Sequence, residues 1–191
     1  MQDTTYYVER KFFKLLGATI RTYDGTRNLL CRADLKAFKL RELITFYSDE
    51  AKSVPLFSAQ ARQIIDIAPT FDITDPSGTK LGALRRKGLS STFVRDQWLI
   101  LDANDGQIGE IVEDSTAMGL LRRFGGALVT IIAPQKFHIS LGTQQVATIQ
   151  SNRNPYTTKF TCTYHGDGNK QLGTLAFAIP SLLAIFDGEQ G

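Results

Sequence analysis

Histidine, cysteine and tryptophan are nearly missing from this chain: two, two and one in 191 residues. So small a supply leaves the common metal and nucleophile chemistries little to work with. His138 stands between Phe137 and Ile139 in an alternating run, where a structural or surface role is expected. Cys162-Thr-Tyr-His165 places two ligand types close together, but a zinc centre needs a second pair at matching spacing, and none is present. Cys31 and Cys162 are far apart, each inside an apolar-alternating run, and read as reduced core thiols of a cytosolic protein. No phosphate loop, nucleotide glycine fingerprint or nucleophile elbow occurs. Asp102-Ala-Asn104-Asp105-Gly106 has the look of a calcium loop, yet its ligand spacing is wrong and a hairpin turn accounts for it. No apolar stretch reaches the ~20 residues of a membrane span, and no basic-then-apolar leader is read at the start. The expectation is a protein without catalytic residues, metal or cofactor, working in the cytoplasm and peripheral, if anything, to a membrane.

What is present is ordinary globular material: 42% hydrophobic and 21% charged residues, net charge +3, pI near 8.9. That composition suits one domain over 1–191 with a sizeable core. The mild basic excess is compatible with an anionic partner but falls well short of a dedicated nucleic-acid binder, and no nucleic acid is expected.

The longest apolar stretch is Leu172 to Phe186. Leu172, Leu175, Ile179, Leu182 and Phe186 recur at helical spacing, and the residues between them are mostly apolar too. A helix hydrophobic all round is buried on every side. Pro180 in its middle deletes one backbone bond and predicts a kink. The rival is a strand over 171–178 followed by a short helix from Pro180; the kinked helix is preferred.

Upstream, one unit repeats: an alternating strand, a polar turn, then an apolar residue, Gly or Ala, and a second apolar residue. Ala18–Tyr23 with Leu29–Ala33 is joined by Asp24-Gly25, where glycine is expected to supply a positive φ. Leu43–Tyr47 pairs with Val54–Ala61. Phe71–Ile73 leads through Asp75-Pro-Ser-Gly78 into Leu81-Gly82. Trp98–Leu101 leads through Asp105-Gly106 into Ile108-Gly109, and Phe137–Leu141 through Gly142 into Val146-Ala147. Gly82, Gly109 and Ala147 share one position, which predicts a strand bend or a close backbone approach. With Tyr6–Arg10 first and Lys159–Tyr164 last, about twelve strands result, the pattern of a closed antiparallel barrel. One segment departs from it: helical spacing over 115–132, capped by Asp114 or Ser115 and closed by Pro134.

The run of hairpins with a terminal apolar helix resembles the tubby C-terminal-like superfamily, in particular its LURP-one-related and phospholipid-scramblase-like branches. The residues that carry the likeness are Tyr7-Val8-Glu9-Arg10-Lys11-Phe12-Phe13, Tyr23-Asp24-Gly25, Phe71 to Gly78 with Leu81-Gly82, and Leu182 to Asp187. The resemblance covers nearly the whole chain and implies a twelve-stranded antiparallel barrel with the C-terminal helix threaded through its middle. Where scramblase-like members hold an acidic calcium loop, this chain has His165-Gly-Asp167-Gly-Asn169-Lys170, so calcium-driven scrambling is not expected. The resemblance also implies anionic lipid, phosphoinositides in the tubby proteins, as the class of ligand.

Basic residues are the natural candidates for such a ligand. Lys80, Arg85, Arg86 and Lys87 cluster in and after one strand, with Arg95 near in sequence; Arg122 and Arg123 lie on the 115–132 helix, and Lys11 and Lys14 flank Phe12 and Phe13. Lys80, Arg85, Arg86, Lys87 and Arg95 are taken as the lipid-binding set of a non-enzymatic domain at a membrane surface, with attraction of ~1 kcal/mol per charge. The alternative is a scaffold that binds another protein and no lipid. Oligomeric state is not legible.

Overall fold

The computed structural model describes residues 2–13, 17–35, 43–63, 69–87, 97–114, 135–152 and 157–186. Twelve strands follow one another: β1 (Thr4–Phe13), β2 (Gly17–Tyr23), β3 (Leu29–Leu35), β4 (Ile44–Tyr47), β5 (Pro55–Ala61) and β6 (Thr70–Thr74). They continue as β7 (Lys80–Arg86), β8 (Gln97–Leu101), β9 (Gln107–Glu113), β10 (Gln135–Leu141), β11 (Gln144–Asn152) and β12 (Thr157–Tyr164). Each is antiparallel to the next, and β12 closes on β1 from Thr4↔Tyr164 to Lys11↔Thr157, so the sheet is a closed barrel. Two helices end the described chain, α1 (Gly168–Leu172) and α2 (Leu175–Phe186). The expected helix over 115–132 lies outside the described residues.

Twelve strands about 4.8 Å apart give a circumference near 58 Å and a diameter of about 18 Å, more once the strands tilt. A helix about 10 Å wide fits inside with one layer of side chains around it. Every residue of α2 except Phe177 is buried, from Leu175 to Phe186, against inward positions such as Val8, Ile20, Phe46, Ile73, Ile100 and Ile139. The all-round hydrophobicity of 175–186 is therefore that of a helix whose solvent is the barrel itself.

Two details differ from the sequence reading. The terminal helix is interrupted at Gly173, not at Pro180. Gly173 adopts φ 54, ψ −125, a conformation reserved for glycine, and there the chain turns from the barrel mouth onto its axis. Pro180 sits inside α2. No part of 171–178 forms a strand.

The second concerns the turns. Asp24, Asp49, Asp75 and Asp102 each begin a turn in which the third residue beyond has positive φ: Arg27 (70°), Lys52 (57°), Gly78 (86°) and Asp105 (67°). The first carboxylate accepts backbone N–H bonds from the far side of the turn, Thr26 and Asn28 for Asp24, Ser77 and Thr79 for Asp75, Asn104 and Gly106 for Asp102. Asp49 does the same with Ser53 and Val54. The positive φ thus falls on Arg27 rather than Gly25, because the loop is a longer turn closed by a left-handed residue and not a two-residue hairpin.

Beyond each turn the register slips by one. Leu30, Leu56, Leu81, Ile108 and Val146 are the extra residues of five β-bulges, one per hairpin. This is the apolar-then-small signature of the repeat. A Cβ on Gly109 would come within 2.3 Å of the Ser140 carbonyl oxygen, and one on Gly82 within 2.6 Å of that of Leu101 and 2.9 Å of Leu175. The predicted close approach is real, and at Gly82 it admits the first residue of α2.

Polar groups inside the barrel fix the helix in place. Arg10, 4% exposed, donates from Nη1 to the carbonyls of Ala184 and Ile185, both at 2.9 Å. A guanidinium at a helix C-terminus satisfies orphan carbonyls and opposes the negative end of the dipole. Ser181 donates to the Phe177 carbonyl and shares a 2.6 Å bond with Thr22 of β2.

Candidate functional site

The five aspartate or glycine turns lie at one end of the barrel, the turn end, together with α1. The opposite, far end is where β7 finishes and where α2 terminates. This division separates the basic residues picked from the sequence. Lys80, at the start of β7, belongs to the turn end and is held by Asp105 (2.7 Å) and Asp72 (3.3 Å), both of which also bind Arg62. Arg85, Arg86 and Lys87 are at the far end, roughly a strand length away at ~3.3 Å per residue. Lys80 is thus spent in an ion network and does not join them. Arg95, Lys14, Arg122 and Arg123 lie outside the described residues.

Pairing with β6 and β8 sets the geometry of the remaining three. Arg85 stands opposite Thr70 and donates from Nε to its hydroxyl at 3.2 Å. Arg86 hydrogen-bonds the Pro69 carbonyl through its backbone N–H, and its guanidinium lies 5.8 Å from the Trp98 ring. Trp98 stacks on Phe186 at 4.8 Å, and Phe186 meets Phe71 at 4.3 Å, so Arg86 lies beside the aromatic plug around the last residue of α2. Lys87 is exposed and anchored by its N–H to Gln97.

Among the described residues, Arg85 and Lys87 have no carboxylate within ion-pairing distance. Lys11 and Lys136 share that property and the same end: Lys11 pairs with the first residue of β12, and Lys136 is the second residue of β10. Lys136 was missed in the sequence, where it stands alone; its relation to Lys87 exists only once β7 to β10 pair. Elsewhere the outward faces are neutralised. Glu50 binds Arg21 and Arg32, Asp34 binds Arg32 and Lys52, and Arg27 lies 3.6 Å over Tyr7 and near Glu9. Polar outward and apolar inward is the reverse of a bilayer-spanning barrel.

The few chemically reactive groups do not converge. Cys162 is fully buried in the core, whereas His165 is at the turn end, its Nδ1 2.9 Å from Asp3. Cys31 is buried beside Thr22 and Ser181, and burial pushes its thiol up to about 11; burial likewise raises Cys162 and Tyr164. His138 lies 3.4 Å from Asp114. No three metal-ligating residues meet among those described, and no described helix is long and apolar enough to cross a membrane. At the calcium-loop position Asp167 pairs with Lys170 at 2.9 Å. No family model, no curated protein and no solved structure matches the chain.

Proposed function

We propose that this chain is a non-catalytic binding domain that associates with anionic lipid head groups at a membrane surface, in the manner that its resemblance to the tubby C-terminal-like superfamily implies. The observation that carries the reading is the state of Arg85 and Lys87, cations without a carboxylate partner on a surface where Lys80, Arg62, Arg32 and Lys52 all have one. A cation already paired gains little from an external phosphate, since that contact must displace an existing one; an unpaired cation gains the full attraction. The filled interior supports the same reading: α2 occupies the space where a barrel enzyme places its substrate.

The test is co-sedimentation with vesicles of phosphatidylcholine alone and of phosphatidylcholine with phosphatidylserine. Pelleting with the anionic vesicles at low ionic strength, released by added salt, is the expected result, because surface attraction fades once the screening length is shorter than the contact. Equal pelleting with both compositions, or none with either, overturns the proposal.

A further inference from the structure

Among the described residues the two ends of the barrel differ in how their charges are used. Asp24, Asp49, Asp75, Asp102 and Asp105 crowd the turn end. The described cations without carboxylate partners, Lys11, Arg85, Lys87 and Lys136, are all at the far end. The strand order β1-β12-β11-β10-β9-β8-β7 places them at three stations, on β1, on β10 and at the end of β7, each three strands from the next. Three strands are a quarter of the circumference, about 14 Å of arc, and Lys11 and Lys87 face away from each other across about 18 Å of barrel.

That spacing selects the partner. One phosphate group reaches one station and cannot reach two. A ligand that engages all three must be an extended anion, and cations spread along a half-circle of rim fit a flat charged sheet better than the line of phosphates along a nucleic-acid strand. Among the described residues, the carboxylates toward this end are already engaged: Glu113 accepts from Gln135, Asp114 from His138, and Asp34 is bound by Lys52.

Resting on the lipid-surface reading above, we propose that the barrel docks end-on against an anionic bilayer, with the β1, β10 and β7 stations sharing the head groups and the turn end held away. Binding is then distributed over the rim and is not confined to a head-group pocket beside Arg85.

The experiment is vesicle partitioning of Lys11→Gln, Lys136→Gln and the double variant Arg85→Gln/Lys87→Gln, with Lys170→Gln at the turn end as the control. Lys170 is 77% exposed and its loss leaves the far end intact. Thermal melts of each variant establish that it is folded. Each single far-end change should weaken partitioning about fivefold, the equivalent of ~1 kcal/mol per charge, with the double variant weaker still and Lys170→Gln unchanged. Loss confined to Arg85→Gln/Lys87→Gln, with Lys11→Gln and Lys136→Gln binding as the parent, overturns end-on docking and leaves a local lipid site. Equal weakening by Lys170→Gln also overturns it, since no end is then preferred. A parent protein indifferent to phosphatidylserine removes the lipid reading itself. Tighter binding to duplex DNA than to anionic vesicles at the same salt overturns the choice of a bilayer.

Discussion

The turn end and the far end of this barrel are built on different principles. At the turn end one device recurs four times: an aspartate that hydrogen-bonds the backbone of its own turn, followed three residues later by a positive φ. Its charges are used up in turn amides or in the Arg62–Asp72–Lys80–Asp105 network, which runs from Asp105 in a turn to Arg62 just past β5. At the far end, among the described residues, the chain places cations and leaves several without carboxylate partners. The contrast teaches that abundance of charge is a poor guide to a binding surface. Charge that has no internal partner is what the proposed function rests on, and it is visible only after the strands are paired.

The largest expected effect comes from breaking what the two ends share, the helix between them. Leu182 is fully buried in the middle of α2. Leu182→Asp puts a carboxylate there with no partner and should remove about 5 kcal/mol or more of stability, a large part of the whole. Loss of the cooperative thermal transition checks it; a folded, cooperatively melting variant would show that the helix is not inside.

Much of this architecture was legible beforehand, for a physical reason. Period-two alternation, a polar turn and an aliphatic-then-small pair describe a bulged hairpin wherever they occur, so the strands and the close approach at Gly82 and Gly109 could be read locally. What could not be read was where strain is carried. Residue type alone points to Gly25 and Pro180 for unusual backbones, yet the positive φ falls on Arg27 and the break on Gly173. Turn length, set by the capping aspartate, and the need to steer the chain into the barrel axis decided both. The candidate site was half legible: Arg85, Arg86 and Lys87 adjoin in sequence, whereas the separation of Lys80 and the kinship of Lys136 depend on pairing across strands.

The turn end can be tested at its glycines. Gly109→Ala drives a methyl group against the Ser140 carbonyl and should destabilise by about 3 kcal/mol. Gly25→Ala should be neutral within about 0.5 kcal/mol, its nearest neighbour, the Thr5 carbonyl oxygen, lying at 3.5 Å. Denaturant melts of the pair measure the difference directly; equal losses would contradict the close backbone approach at Gly109.

Acid should produce the mildest and most end-specific change. Backbone hydrogen bonds from Val54 and Ser53 hold Asp49 below the usual carboxylate range, the Ser77 hydroxyl and Thr79 amide do so for Asp75, and Lys80 and Arg62 hold Asp105 down to about 2. A carboxylate depressed by folding contributes stability above its unfolded value near 4, and loses it as pH falls through the folded value. The melting temperature should therefore decline between about pH 4 and pH 2. Asp105→Asn should flatten that decline, and an unchanged slope in the variant would show that the network does not govern it.

The opposition of the two ends is tested most directly by where each lies when the protein is bound. A fluorophore is placed through Lys87→Cys at the far end or Lys170→Cys at the turn end; the two native thiols, both buried, do not compete for the label. Vesicles containing phosphatidylserine and a quencher-bearing lipid are then added. Quenching of the label at position 87 with the label at 170 unaffected is the predicted result. Equal quenching at both positions, or quenching at 170 alone, would contradict the account.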